Sequence, residues 1–171
     1  QWILNSTFGI LNHTLIQVGL IELPINFLGN PSLAFPTVIV INSWRWIPFV
    51  TLVMLAILQS IPRSEYEAAR VEGAGVWQSF VYITFPYLQR SLTLISLLAV
   101  LLTFNIFDII WLLTSGGPMG ATKTLPVYIY ELGFARQNLG GASAASVVLF
   151  TILTVFTIFY FRRRELRRSR E

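Results

Sequence analysis

The sequence predicts an all-α, polytopic membrane protein with about three transmembrane helices, on three observations. Only 12% of the 171 residues are charged and 54% are hydrophobic, whereas ordinary soluble domains carry about 25% charged residues. A mean hydropathy of +0.66 leaves too few polar groups to cover a water-facing surface. Three long apolar runs, separated by charged or turn-rich stretches, each approach the roughly 20 residues a helix needs to cross a bilayer. This composition excludes intrinsic disorder, and the lack of cysteine excludes a disulfide scaffold. The pI near 9.9 does not indicate nucleic acid, because half of the 12 cations lie between Arg162 and Arg170 beside an apolar run. That pattern is a cytoplasmic membrane anchor.

The chain opens at Gln1 with no charged leader, and is read as the C-terminal part of a longer protein. Residues 1–35 hold Gly, Asn and Pro interruptions ("LPINFLGNPSLAFP") and are expected to be extracytoplasmic, with a short amphipathic helix at the interface. The first span is set at 36–59. Asn42, Arg45 and Pro48 interrupt it, and Pro48, which lacks a backbone donor, should kink the helix or open its wall.

A charged segment at 61–90 follows. Ser64 and Glu67 have the S-x-x-E spacing of a capping box, in which each side chain bonds the other's free N–H. Glu65 and Glu67 in a first turn and Arg70 in a last turn suit the helix dipole. Gly73 and Gly75 should break this helix, with a second one beginning near Val76 and stopping at Pro86. The expected product is two short helices around a glycine elbow.

The second span is set at 91–113. It contains Asn105 and Asp108, and an acidic group at membrane depth, costing roughly 2.5–3.5 kcal/mol to insert, should face protein or water. Trp111 then falls near the outer interface. Residues 114–141 form a turn-rich outer loop ("TSGGPMGATKTLP") with a short interfacial helix at "VYIYELGFARQNLG". The third span, 142–161, has no charge, and at 1.5 Å per residue it reaches about 30 Å. Gly141, Ala142, Ala145 and Ser146 near its start suit close packing on another helix, or simply make a poor helix start. The basic tail 162–171 then sets the C-terminus in the cytoplasm by the positive-inside rule.

The segment "EAARVEGAGVWQSFVYITFP" resembles the EAA loop of binding-protein-dependent ABC importer permeases. Glu67, Ala68, Ala69, Gly73, Ala74, Gly75, Phe80, Ile83 and Pro86 match the motif. "FDIIWLLTSGGPMGAT" and "YIYELGF" with "LGGASAAS" are similar to sugar-class permeases of the maltose, lactose and glycerol-3-phosphate group. Departures are Glu72 for the usual Asp, Phe85 for the usual Leu, and Arg90 for a common Pro. The resemblance covers essentially the whole chain. It implies the type I ABC importer transmembrane-domain fold in the prokaryotic plasma membrane, with the loop acting as a coupling helix on the ATPase. Implied partners are a second, non-identical permease, two copies of a cytoplasmic ATP-binding subunit and an extracytoplasmic solute-binding protein.

By the same resemblance, Asn42, Arg45, Trp46 and Phe49 on the first span, and Leu102, Thr103 and Ile106 on the second, line a sugar path. Asn105 and Asp108 are polar neighbours there. The residues also allow plainer roles: Glu67 as a cap, Trp44 and Trp46 as interfacial anchors, Asn105 and Asp108 as pins between helices. His13 has no Cys or second His near it, so no metal site is expected. No G-x-x-x-x-G-K-[ST] loop is present, and no nucleophile–base constellation. The chain is therefore read as a non-enzymatic permease without a cofactor. An alternative is an ion- or proton-coupled carrier with Asp108 as the titrating group; another is a purely structural membrane subunit.

Overall fold

The structure, a computed structural model, describes the backbone of residues 1–168 and the side chains of residues 1–162 other than Arg90 and Leu94. The basic character expected of the tail therefore lies outside the described side chains beyond Arg162. Among the described residues there is no strand. After a 3-10 turn at Trp2–Leu4, the helices are α1 (Ile10–Gln17), α2 (Pro31–Gln59), α3 (Arg63–Val71) and α4 (Val76–Phe104). They are followed by α5 (Asp108–Thr114), α6 (Leu125–Tyr130) and α7 (Leu139–Arg168). Among the described residues, three stretches are long and apolar enough to cross a membrane: Pro31–Gln59, Val76–Phe104 and Leu139–Arg162.

The helix boundaries correct several expectations. α2 begins five residues before Pro36. Asn30 caps it, its Oδ1 accepting the Ser32 N–H at 2.9 Å, and Pro31 stands first in the helix, where a missing N–H costs nothing. α2 then continues through Pro36 and Pro48 as one helix. The helix expected to stop at Pro86 does not stop there. A π-helical turn, Phe80–Thr84, precedes the proline and widens the backbone ladder where its ring would otherwise meet a carbonyl. Val76–Phe104 is thus one element that joins the loop to the second span. That span ends at Phe104 rather than Leu113. Residues 105–107 leave the helix, and Asp108 heads α5, where the helix dipole favours a carboxylate.

The chain divides into two compact units: Gln1–Ser43 with the described residues from Thr103 onward, and Trp44–Leu102. The core of the first is Val38, Ile106, Ile110, Leu113 and Val127, with Leu28, Phe107 and Trp111 packed against it. Asn12, only 3% exposed, pins the N-terminal segment. Its amide donates to the Ile25 carbonyl and accepts the Ile25 N–H, both at 2.9 Å.

Between α5 and α6 the chain turns through Ser115 and Gly116 at φ 51° and 84°. The buried Thr122 hydroxyl ties the turn to Thr114 Oγ1 (2.6 Å) and to the Gly117 carbonyl (2.7 Å). A second π-helical turn, Glu131–Ala135, extends α6. There Glu131 pairs with Lys123 at 2.5 Å and Arg136 at 2.6 Å. Hydrogen bonds from Lys123 and then Arg136 hold the Glu131 carboxyl below the usual glutamate range. Asn138 Oδ1 accepts the Gly141 N–H at 2.9 Å and so caps α7. Ala142 is buried beside Gly133, where an added Cβ would lie 3.4 Å from the Ala142 methyl. Of the small residues at the start of α7, Ala142 thus serves close packing.

Much of the apolar surface stays uncovered, including Leu52 and Leu55 of α2 and Val147, Phe150, Val155 and Phe159 of α7. In water such faces would drive aggregation; against acyl chains they cost nothing.

Candidate functional site

The segment that resembles the EAA loop lies wholly within the second unit. It opens at Pro62, whose carbonyl accepts the Glu65 N–H at 3.2 Å, and α3 starts at Arg63 with no side-chain cap. The expected Ser64–Glu67 capping box is therefore absent. Ser64 already sits inside the helix, two residues past the cap position, so its hydroxyl meets no free N–H there. Glu65 is the acidic residue of the first turn and Arg70 the basic residue of the last, whereas Glu67 has moved out of the first turn.

The far end of α3 explains three motif residues by backbone geometry. The Gly73 N–H donates to the Arg70 carbonyl (3.0 Å) and the Ala74 N–H to the Ala69 carbonyl (2.8 Å), with Gly73 at φ 82°. This is a Schellman motif, which requires a left-handed residue and favours a small apolar contact between its outer members, here Ala69 and Ala74. Beyond it, Gln78 Oε1 accepts the Gly75 N–H at 2.8 Å and starts α4. A hydroxyl bond of 2.8 Å joins Tyr66 to Thr84, the last residue of the π-helical turn.

A groove of about 380 Å³ runs between Glu65, Ala68 and Glu72 of α3 and Gln78 and Tyr82 of α4. At about 100° per residue, Glu67 lies on the opposite side of α3 from this groove. Its side chain is exposed, with no hydrogen bond or ion pair among the described residues. Val71, one turn further on that side, is 90% exposed, and Val76 and Trp77 past the elbow are 91% and 74% exposed. Phe80 stacks on Trp77 with ring centroids 5.7 Å apart. Ile83 is half-buried and Pro86 exposed. Tyr66 and Thr84 escaped the sequence reading because they become neighbours only once the elbow has formed, whereas Gln78 is a local cap three residues past Gly75.

The residues expected to line a solute path fall in both units. Asn42, Thr103, Asn105, Ile106 and Asp108 belong to the first, and Arg45, Trp46, Phe49 and Leu102 to the second. Asn42 Oδ1 is buried with no hydrogen-bond partner among the described residues. Ile106 is part of the first unit's core. The Arg45 guanidinium lies 5.8 Å from the Trp46 ring centroid, and Trp46 meets Phe49 edge to face at 5.7 Å. Asn105 and Asp108 both have polar partners. Among the described residues no cluster of His, Cys, Asp or Glu can hold a metal ion.

Comparison with known proteins gives the family. The family described as the binding-protein-dependent transport system inner membrane component matches residues 3–168. A probable ABC transporter permease protein of Brucella suis biovar 1 is 41% identical over 162 residues, which are 95% of this chain and 56% of that protein. A trehalose/maltose transport system permease protein of Thermococcus litoralis is 38% identical over 168 residues, 96% of this chain and 55% of that protein. A lactose transport system permease protein of Rhizobium radiobacter is 33% identical, covering 91% and 53%. The chain thus spans about half the length of these curated relatives. The crystal structure of a bacterial ABC transporter involved in the import of the acidic polysaccharide alginate superposes with a TM-score of 0.81 at 26% identity, over 95% of this chain and 56% of that one. With three membrane-length helices and no strand among the described residues, and a family match over nearly its whole length, the chain belongs to the inner membrane components of binding-protein-dependent transport systems, the permeases of ABC importers.

Proposed function

We propose that this chain is a membrane-spanning part of a permease subunit in an ATP-driven importer of a sugar or sugar-like solute. In this reading α3 and the first turns of α4 form the helix pair that docks on a cytoplasmic ATPase subunit. One observation carries the docking role: Glu67 sits on a well-formed helix, exposed, with no bond of its own among the described residues. A carboxylate that neither caps nor pairs among the described residues is available to a cationic partner, and the exposed Val71 beside it supplies apolar contact. The elbow's fixed geometry supports the same reading, because a docking element has to transmit displacement.

The complex would comprise this permease, a second non-identical permease, two ATPase copies and an extracytoplasmic binding protein. The α3 side and the C-terminus would be cytoplasmic, with 1–30 and 115–138 outside. Carbohydrate as the solute class rests on the relatives, several of which are named for trehalose, maltose, lactose or diacetylchitobiose transport. Asn42, Arg45, Trp46, Phe49, Leu102, Thr103, Asn105 and Asp108 are the proposed path residues, amides and aromatic faces being the groups that suit sugar hydroxyls and ring faces. Ile106, part of the first unit's core, is proposed with them. A proton-coupled carrier is less well supported, because Asp108 heads α5, beyond the end of the membrane-length helix at Phe104.

The test is Glu67→Ala in the assembled transporter, with radiolabelled uptake of a sugar panel and co-purification of the ATPase. The proposal expects normal membrane insertion with ATP-dependent uptake lost or reduced at least tenfold. Unchanged uptake would remove the docking role.

A further inference from the structure

The elbow between α3 and α4 is held at two distances from its pivot. At the pivot stands the Schellman pair, Gly73 to Arg70 and Ala74 to Ala69. Next to it, Gln78 closes on the Gly75 N–H and fixes the first turn of α4 itself. Furthest out, the Tyr66 and Thr84 hydroxyls meet at 2.8 Å, 18 residues apart in sequence, with both side chains half-buried. Tyr66 lies seven residues before Gly73, about 10 Å along the helix at 1.5 Å per residue. Bonds at a pivot resist rotation weakly because they act on a short arm, and a bond 10 Å out resists it far more. Tyr87, which donates to Glu65 at 3.4 Å, adds a weaker strap on the same side. The π-helical turn has a role here too. It ends on Thr84, and a wider turn changes where the residues after it fall around the helix axis.

We propose that Tyr66 and Thr84 are positioning residues whose hydroxyl bond braces α3 against α4, making the loop one rigid lever rather than a hinged pair. The inference rests on the docking reading above for its purpose, but its geometry stands apart from it. Force applied to α3 reaches the membrane-length part of α4 only if the angle between them stays fixed. With the brace removed, part of each displacement is absorbed by opening at Gly73, where the space around the α-carbon is empty.

The chain has no cysteine, so in a transporter whose other residues and subunits are also made cysteine-free, a Ser64→Cys, Val76→Cys pair gives one defined spin-label distance across the elbow. It is measured nucleotide-free and after trapping with ATP and vanadate. The native hydroxyl pair should give a single narrow distance in both states. Tyr66→Phe, which deletes only the hydroxyl, should raise the population of a second, longer distance about three- to tenfold, the range of one net hydrogen bond. Thr84→Val should do the same, the double variant no more than either alone, and Thr84→Ser should restore the narrow distribution. An unchanged distribution in both single variants, or effects that add in the double variant, would overturn the brace. Loss of the brace with Glu67→Ala still abolishing uptake leaves the docking reading standing; a rigid elbow in a transporter indifferent to Glu67→Ala removes docking alone.

Discussion

Substitution of Gly73 separates backbone need from side-chain size. At φ 82° an L-residue pays roughly 1–2 kcal/mol for the left-handed conformation, while a Cβ built there meets nothing within 4 Å. The penalty is therefore conformational and not steric. It lowers the ratio of closed to open elbow by about 5- to 30-fold. Asn, which tolerates this region, should lose least; Ala should be intermediate; Val, β-branched and poorest at positive φ, should lose most. The assay is ATP-dependent uptake by the assembled transporter in proteoliposomes, normalised to inserted protein, with protease sensitivity of residues 63–80 reporting elbow opening. The order Asn, Ala, Val should appear in both. If Gly73→Val transports like the parent, or if Asn proves as damaging as Val, the left-handed elbow is not what the glycine serves.

Asn12→Ala should leave the Ile25 N–H and carbonyl without their partner, costing about 1–3 kcal/mol; faster hydrogen exchange or proteolysis in residues 18–30 would register it, with Asn12→Asp falling between. Glu131 carries a linkage prediction. Its carboxyl is depressed in the folded chain by Lys123 and Arg136, so its contribution is fully present above the ordinary glutamate range and is lost as pH falls through the depressed value. Acidification below that range should loosen residues 120–138 in hydrogen exchange, and Glu131→Gln should remove that step while leaving the segment looser at neutral pH.

The membrane spans were legible because apolar runs depend on composition, which no tertiary contact can disguise. Their ends were not. The Ser64–Glu67 spacing fits a capping box, yet Pro62 supplies a preset φ and a carbonyl acceptor two residues earlier, so the helix nucleates before Ser64. Pro86 is a stop signal in an α-helical register, but the turn ahead of it is π-helical, which single-residue preferences do not reveal. The break at 105–107 contains neither Gly nor Pro. Within the loop, Ala69, Gly73 and Ala74 could be named from sequence, but their shared reason, a Schellman motif, required the backbone. Asn12, Glu131 and the Tyr66–Thr84 bond have partners in other elements or loops, and local pattern carries no trace of them.

The most direct trial of the account is the surroundings of α3 in the working complex. Val71 stands one turn from Glu67 on the same side and is 90% exposed, so Val71→Cys carries a photoactivatable thiol label with little disturbance. The account predicts reaction with membrane-impermeant thiol reagents from the cytoplasmic side alone, and a photo-crosslink to the ATPase subunit whose yield changes when ATP binds. Reaction from the outside, or a crosslink to every component except the ATPase, would contradict it.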